Sequence, residues 1–358
     1  MKADLKLLDE YVERGLLRKQ EDDDLVQYNY SEETNHSDFW DEITLFNRGN
    51  IYEKKTGLLI ARAMPKFMNL FALPLEEQQW YLSQKNITVT EKLDGCLGII
   101  YKYKGEIRCN SRGGFDNYVT DKMKELLPKY SRLSYILDWQ DLNVEVISPE
   151  TKIICDYGDE QSLNLITSYT TGTWTENDRL TNELISSCTD MPIVKKVDMT
   201  WEELLDFQKN SNYEKEGYVV QISDKRVKMK SEDYLRIAGL KAKLHKHTMW
   251  RLWKNSIEQG IDVFQPYMEN VPDELFTLAK KWKDELEGKM NKLKEDSVKL
   301  YRGTLNIKQE KLADYFKENQ SELMPLVYNL RNGKSLDKLL IKMVEPENDE
   351  GLEEIKGV

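Results

Sequence analysis

A change of hydrophobic period near Ile237-Ala238-Gly239 divides this chain and limits what each part can fold into. From about Phe39 to Leu235, short alternating runs are separated by turns such as Lys55-Thr56-Gly57 and Lys104-Gly105, a pattern of short strands. Beyond it, Leu275, Ala279, Trp282, Leu286, Met290 and Leu293 recur at three- and four-residue steps, which puts them on one face of a helix as core packing. Two helical interludes interrupt the strand region. One covers about Val119 to Leu133, and the other follows Thr200-Trp201-Glu202-Glu203, whose Thr200 and Glu203 fit a capping box. The first 35 residues read as a polar helical lead, with Leu5, Leu7, Leu8, Tyr11 and Val12 at helical spacing. With 358 residues and 40% hydrophobic content there is ample material for two packed cores. The expected organisation is an α+β domain over residues 1–237, an all-helical domain over 238–345 and an acidic tail over 346–358.

Within the strand region, Asn86-Ile87-Thr88-Val89-Thr90-Glu91 alternates, Asp94-Gly95 is a turn signal, and Leu97-Gly98-Ile99-Ile100-Tyr101 resumes an extended run. Lys92-Leu93-Asp94-Gly95 therefore presents a lysine at a strand end, as covalent nucleotidyltransferases present the amine that attacks an α-phosphate. Alone, the pattern would recur in roughly one chain in ten of this length. Its companions downstream carry the argument: Glu145 and Glu216 in two further alternating runs, then Lys228-Met229-Lys230. Lysine attacks phosphorus only as the neutral amine, so its pKa must fall from about 10.4, at a differential cost of roughly 3 to 4 kcal/mol. Lys228 and Lys230 share one face of a strand. From there they are expected to hold phosphates and to disfavour a third ammonium at Lys92. Glu216 and Glu145 supply carboxylates for Mg²⁺ or for a ribose.

These residues resemble the ATP-dependent RNA ligases, and more narrowly the RNA ligase 1 family of T-even bacteriophages. Lys92-Leu93-Asp94-Gly95 resembles that family's nucleophile motif, Val144-Glu145-Val146 its central acidic strand, Glu216-Gly217-Tyr218-Val219 the next motif, and Val227-Lys228-Met229-Lys230-Ser231-Glu232-Asp233-Tyr234 the last. Upstream, Arg48-Gly49 and Pro65-Lys66-Phe67 are similar to its Arg-Gly strand and Pro-x-Lys-Phe segment. The resemblance covers about residues 38–235. It implies a nucleotidyltransferase (adenylyltransferase) domain of antiparallel sheets with flanking helices. It also implies that Lys92 carries an adenylate, that Arg48, Lys66, Glu91, Gly95, Arg112, Glu145, Glu216, Lys228, Lys230 and Tyr234 contact ATP, and that Glu216 holds Mg²⁺. Two positions depart from the family pattern, Cys96 standing for serine and Met68 for an aromatic residue, and Ile166 and Tyr169 both remain open as the base-stacking residue. DNA ligases and capping enzymes usually follow the last lysine motif with a β-rich barrel, whereas helices follow here. The implied reaction joins RNA 5′-phosphate and 3′-hydroxyl ends, with nicked tRNA as a substrate and an end-processing kinase or phosphatase as a partner. A catalytically silent RNA-binding protein of the same fold is the alternative from a different class.

Composition adds exclusions. Cysteines 96, 109, 155 and 188 have no Cys-x-x-Cys spacing, and His36, His245 and His247 form no paired motif. Neither a zinc site nor a disulfide framework is expected. The net charge of −11 is concentrated in Glu21-Asp22-Asp23-Asp24 and in the tail from Glu345, which leaves a nearly neutral body able to carry a basic face. No apolar run approaches the roughly 20 residues needed to cross a bilayer, and the N-terminus begins no signal peptide, so a soluble cytoplasmic protein that avoids membranes is expected. Between Lys241 and Lys254, basic residues interleave with Trp250 and Trp253, which either stack on RNA bases or pack inward. Asn332-Gly333-Lys334-Ser335 lacks the earlier glycine of a phosphate loop, and is expected to end one helix and begin another.

Overall fold

A computed structural model describes residues 2–243, 245–260, 273–318 and 321–347. The acidic tail from residue 348 and the side chains of Lys241, Lys243 and Leu275 lie outside the described residues. The chain divides into two compact units, Met1–Leu235 and Arg236–Val358.

The first unit is built on three four-stranded antiparallel sheets. Strands β1 (Leu17–Asp22), β2 (Leu25–Tyr30), β3 (Arg48–Glu53) and β4 (Leu59–Ala61) form the first sheet in sequence order. The chain then adds β5 (Thr88–Lys92), which joins a later sheet, before β6 (Cys96–Tyr103), β7 (Glu106–Ser111), β8 (Gln140–Ile147) and β9 (Ser162–Thr170) form the second sheet in the order β7-β6-β8-β9. Strands β10 (Lys196–Val197), β11 (Gly217–Ile222) and β12 (Lys225–Lys230) complete the third around β5, in the order β10-β5-β11-β12.

Period two explains why the second and third sheets each offer a polar face. On β8, Leu142, Val144 and Val146 are fully buried against Val119, Met123 and Leu126 of the helix Tyr118–Leu126. The intervening residues Asp141, Asn143 and Glu145 must then point to the other side. On the third sheet, Val89, Val220, Val227 and Met229 pack on Leu70, Tyr81 and Leu204, which leaves Lys92, Val219, Lys228 and Lys230 on the opposite face. Buried polar bonds stitch the first sheet to the second: the Asn143 amide accepts from the Met64 N–H (2.7 Å) and donates to the Arg62 carbonyl (2.8 Å), and Gln27 donates to the Gly49 and Ser111 carbonyls. Each such bond satisfies a group whose burial unpaired costs about 1–3 kcal/mol.

Three expectations for this unit are corrected. The N-terminal lead is helical only over Leu5–Glu13 and from the start of the short helix Glu32–His36, and residues 17–30 form the β1–β2 hairpin. The interlude from Val119 breaks at Pro128 into the helix Tyr118–Leu126, a 3₁₀ turn at Leu127–Lys129 and the short helix Leu133–Ile136, because proline cannot continue the helical hydrogen bonds. Helices at Leu75–Ser83 and Arg179–Thr189 were not anticipated. The capping box at Thr200 is present and starts the helix Trp201–Asn210.

The second unit is helical in its described residues, with the helices Lys246–Gln259, Asp273–Gly303, Gln309–Glu318, Met324–Arg331 and Asp337–Met343. Ala279, Trp282 and Leu286 are buried with Met249, Trp250 and Trp253, and Met290 and Leu293 pack against them. Trp250 and Trp253 are thus core residues, and the Trp250 indole donates to the Ile341 carbonyl at 2.9 Å. That removes them as base-stacking platforms. Gly333, at φ +64°, ends Met324–Arg331 in the left-handed region as expected. No helix among the described residues is long and apolar enough to cross a membrane.

Candidate active site

Lys92 is the last residue of β5, and strand register decides its company. Gly217 on β11 lies opposite both Lys92 and Lys230, so the residue before it, Glu216, enters between two lysines. Its buried carboxylate takes the Lys92 ammonium at 2.8 Å and the Lys230 ammonium at 2.7 Å. Gly217 has to be glycine, since it sits at φ +150° and a Cβ there would lie 2.0 Å from the Met229 carbonyl oxygen.

The turn after Lys92 is anchored from below. Asp94 is 1% exposed, and its carboxylate accepts the Tyr234 hydroxyl (2.6 Å) and the N–H groups of Ile154 (2.7 Å) and Cys155 (2.8 Å). Its own N–H donates to the Tyr157 hydroxyl at 2.9 Å. Gly95 donates to Glu145 at 3.1 Å, and a Cβ there would meet the Val146 carbonyl oxygen at 2.4 Å. Tyr234 therefore reaches the turn after Lys92 through Asp94. Asp94 and Tyr157 were absent from the predicted set, although the Asp-Gly turn signalled the first.

A second group of cations surrounds the Tyr30 hydroxyl. Arg112 donates to it at 2.7 Å, and the Lys66 ammonium lies 4.7 Å from its ring and 4.1 Å from the Trp40 ring. Arg48 donates to the Met64 carbonyl at 3.5 Å. Burial raises the Tyr30 pKa, but Arg112, Arg48 and Lys66 together bring it below the ordinary value. Sequence reading does not reach Tyr30, because the β1–β2 hairpin falls in the expected helical lead, nor Trp40, which no motif marks. The run Leu25-Val26-Gln27-Tyr28-Asn29-Tyr30, rich in β-branched and aromatic residues, was the available signal.

The charges in this region act on one another. Burial lowers the Lys228 pKa, and Lys230, Lys92, Arg48 and Lys66 push it further, to about 7. Among the described residues no carboxylate lies within ion-pair distance of it, and its nearest aromatic neighbour is Phe67 at 5.6 Å. Burial also lowers the Lys92 pKa, but Glu216 and Glu145 outweigh it and raise Lys92 above its ordinary value. This corrects the expectation that surrounding cations leave Lys92 neutral: in the free protein Lys92 is an ammonium, and the lysines with depressed pKa values are Lys228 and Lys66. Burial lifts Glu145 to about 7, with Lys92 pulling it down and Glu216 pushing it up.

Of the predicted residues, Lys92, Gly95, Glu145, Glu216, Lys228, Lys230, Arg48, Lys66 and Arg112 share this neighbourhood, and among the described residues six cations there outnumber the carboxylates of Glu145, Glu216 and Asp94, the last of them bound by Tyr234 and two backbone N–H groups. Glu91 is not brought in: it alternates to the other face of β5 and pairs with Lys215 at 2.8 Å. Of the two stacking candidates, Tyr169 is fully buried with the Arg62 guanidinium 4.3 Å above its ring, whereas Ile166 sits at a bulge in β9 and is half-buried. No group of three or more His, Cys, Asp or Glu side chains suited to a metal occurs among the described residues. All four cysteines are free.

Lys92 thus ends a strand of an antiparallel sheet among an excess of cations. The model of the RNA ligase family matches residues 47–235, more than half of the chain, and the chain belongs to that family. No curated protein is matched. Among solved structures, the chain is similar to a protein of Aquifex aeolicus described as an ATP-dependent DNA ligase, at 16% identity over 93% of this chain and 100% of that one, with a TM-score of 0.47. It is also similar to an archaeal ATP-dependent RNA ligase, at 15% identity over 78% of this chain and 75% of that one, TM-score 0.47. A Naegleria gruberi RNA ligase variant with ATP and Mn matches at 17% identity over 43% of this chain, TM-score 0.36, and the chain spans about half of that protein, 51%.

Proposed function

We propose that this protein is an ATP-dependent RNA ligase that works through a lysyl-adenylate. The Lys92 amine attacks the α-phosphorus of ATP, a P–N bond forms, and pyrophosphate leaves. An RNA 5′-phosphate oxygen then takes the adenylyl group and frees Lys92. Finally an RNA 3′-hydroxyl attacks the activated 5′-phosphorus, AMP leaves and the strand is sealed. Each step is an in-line displacement, so the protein's contribution is alignment and neutralisation of phosphate charge.

The observation that carries this reading is the excess of cations over carboxylates around Lys92, Lys228, Lys230, Arg48, Lys66 and Arg112, which suits a polyanion such as a nucleoside triphosphate. Glu216 and Glu145 are the oxygen donors available for a divalent cation. Two carboxylates completed by substrate phosphates fit Mg²⁺, which seldom uses an all-protein cage. When bound, such an ion supplies positive charge at the phosphates and competes for the carboxylate that holds Lys92 as an ammonium. Lys228 takes up a proton as bound phosphate offsets the cations that oppose its charge. Glu145 is assigned as an acceptor for a ribose hydroxyl, and Ile166 is the preferred neighbour of the base. The helical unit is assigned to RNA recognition, with nicked tRNA as the preferred substrate and a kinase-phosphatase preparing its ends.

The test is intact-mass measurement after incubation with ATP and Mg²⁺. A gain of one adenylyl group, absent in Lys92→Ala, is expected. No adduct on the wild-type protein would support the silent RNA-binding alternative. Stronger sealing of nicked duplex DNA than of nicked tRNA would move the assignment to a DNA ligase.

A further inference from the structure

Lys66 is held in an unusual way for a cation beside other cations. Its ammonium donates to the Asn35 side-chain oxygen at 2.8 Å and lies 4.1 Å from the Trp40 ring centre and 4.7 Å from that of Tyr30. No carboxylate is within ion-pair distance of it among the described residues. Burial lowers its pKa, and Arg48 and Arg112 repel it further. Two aromatic faces and an amide thus hold a charge that a carboxylate would hold more tightly.

The difference matters for an anion site. A carboxylate would neutralise Lys66 and compete with any incoming phosphate, whereas an aromatic face attracts the ammonium through its quadrupole and leaves the formal charge in place. The Trp40 ring is itself fixed, since its indole N–H donates to Asp38 at 2.7 Å and its plane meets Tyr30 edge-on at 5.2 Å. The segment behind it is anchored too. Asp41 caps the helix Glu42–Phe46 and accepts the Tyr11 hydroxyl at 2.6 Å, and the Lys66 N–H donates to the Leu45 carbonyl at 2.9 Å. These bonds tie the extended segment carrying Lys66 to the segment carrying Trp40.

We infer that Trp40, with Asn35, is a positioning residue that keeps the Lys66 ammonium oriented and un-neutralised for the pyrophosphate portion of the triphosphate. The inference deepens the proposed function and rests on it. Trp40 then serves the formation of lysyl-AMP and its reversal, in which a pyrophosphate oxygen attacks the adenylyl phosphorus, the P–N bond breaks, and ATP and the Lys92 amine are restored. Sealing of an RNA that already carries a 5′-adenylate involves no pyrophosphate and does not use the Trp40 and Asn35 contacts to Lys66.

The experiment compares wild type, Trp40→Leu, Trp40→Phe and Asn35→Asp in three assays: the ATP dependence of adduct formation by intact mass, the pyrophosphate dependence of adduct discharge, and sealing of 5′-adenylated RNA. Trp40→Leu is expected to raise the half-saturating ATP and pyrophosphate concentrations about tenfold. Trp40→Phe, which keeps an aromatic face, should recover most of that, and pre-adenylated sealing should stay within about twofold of wild type. Asn35→Asp, at an exposed position that threatens no core, should weaken both dependences by neutralising Lys66. Parallel loss in all three assays, or unchanged ATP and pyrophosphate dependence in Trp40→Leu and Asn35→Asp, overturns the inference while leaving the ligase reading intact. A wild-type protein that forms no adduct defeats the ligase reading itself.

Discussion

Replacing Glu216 with glutamine should make Lys92 a better nucleophile toward small reagents while abolishing adenylylation. The Lys92 ammonium sits 2.8 Å from a Glu216 oxygen, with the Lys92 side chain 22% exposed and the Glu216 side chain 2%. At an effective dielectric of about 20, unit charges at that separation interact by about 6 kcal/mol. Lys230 shares the same carboxylate at 2.7 Å, and Glu145 remains to stabilise the ammonium, so about a third of that energy, roughly 2 kcal/mol, is a reasonable loss. That corresponds to about 30-fold more neutral amine near pH 7.5. The assay is the pH-dependent acylation rate of Lys92, followed by mass mapping in the absence of nucleotide. Glu216→Gln should acylate Lys92 about 30-fold faster at pH 7.5 and converge with wild type at high pH, where both amines are neutral. Identical pH profiles for the two proteins would refute the claim that Glu216 sets the protonation of Lys92.

Other outcomes follow from the same geometry. Lys228→Met should be more stable than wild type at pH 6 but not near pH 11: a lysine whose folded pKa is about 7 is uncharged in the fold while the unfolded chain still binds its proton, so wild-type stability rises with pH from 7 towards the unfolded value of about 10.4. Denaturant melts of both proteins across this range would show the curves converging, and parallel curves would contradict it. Asp94→Asn should cost about 2–4 kcal/mol of unfolding free energy, because one amide oxygen cannot serve the Tyr234 hydroxyl and two N–H groups. Tyr234→Phe should cost about 1–2 kcal/mol, and the double variant less than the sum, measured by a double-mutant cycle. Gly217→Ala should abolish the mass adduct by displacing β11 from β12, whereas Gly239→Ala, with nothing within 4 Å of the added Cβ, should be neutral or stabilise by up to about 1 kcal/mol.

The legible parts of this chain are those where one face of an element is apolar. Alternation in β8 and β11 is strong because one side of each strand meets a hydrophobic core, and the same alternation placed Glu145 across from the apolar face and Lys228 with Lys230. Strand β1 is different. Arg18, Lys19, Gln20 and Glu21 are all exposed, so no hydrophobic period marks it, and β2 is buried on both sides, so none marks that either. The hairpin that carries Tyr30 was lost for that reason. The interleaved lysines and tryptophans near residue 250 left two readings open because a buried tryptophan and a stacking tryptophan look alike until the neighbouring helix is in place.

By itself, the order of residues determined the strand-then-helix division, the position of Lys92 before a turn, and the sharing of one strand face by Lys228 and Lys230, since each depends on local period and spacing. Tertiary structure alone decided that Lys92 is held as an ammonium while Lys228 and Lys66 have their pKa values depressed. Glu216 lies 124 positions from Lys92 and reaches it only through the pairing of β5 with β11. Charge interactions fall off with distance in space, and distance along the chain says little about them.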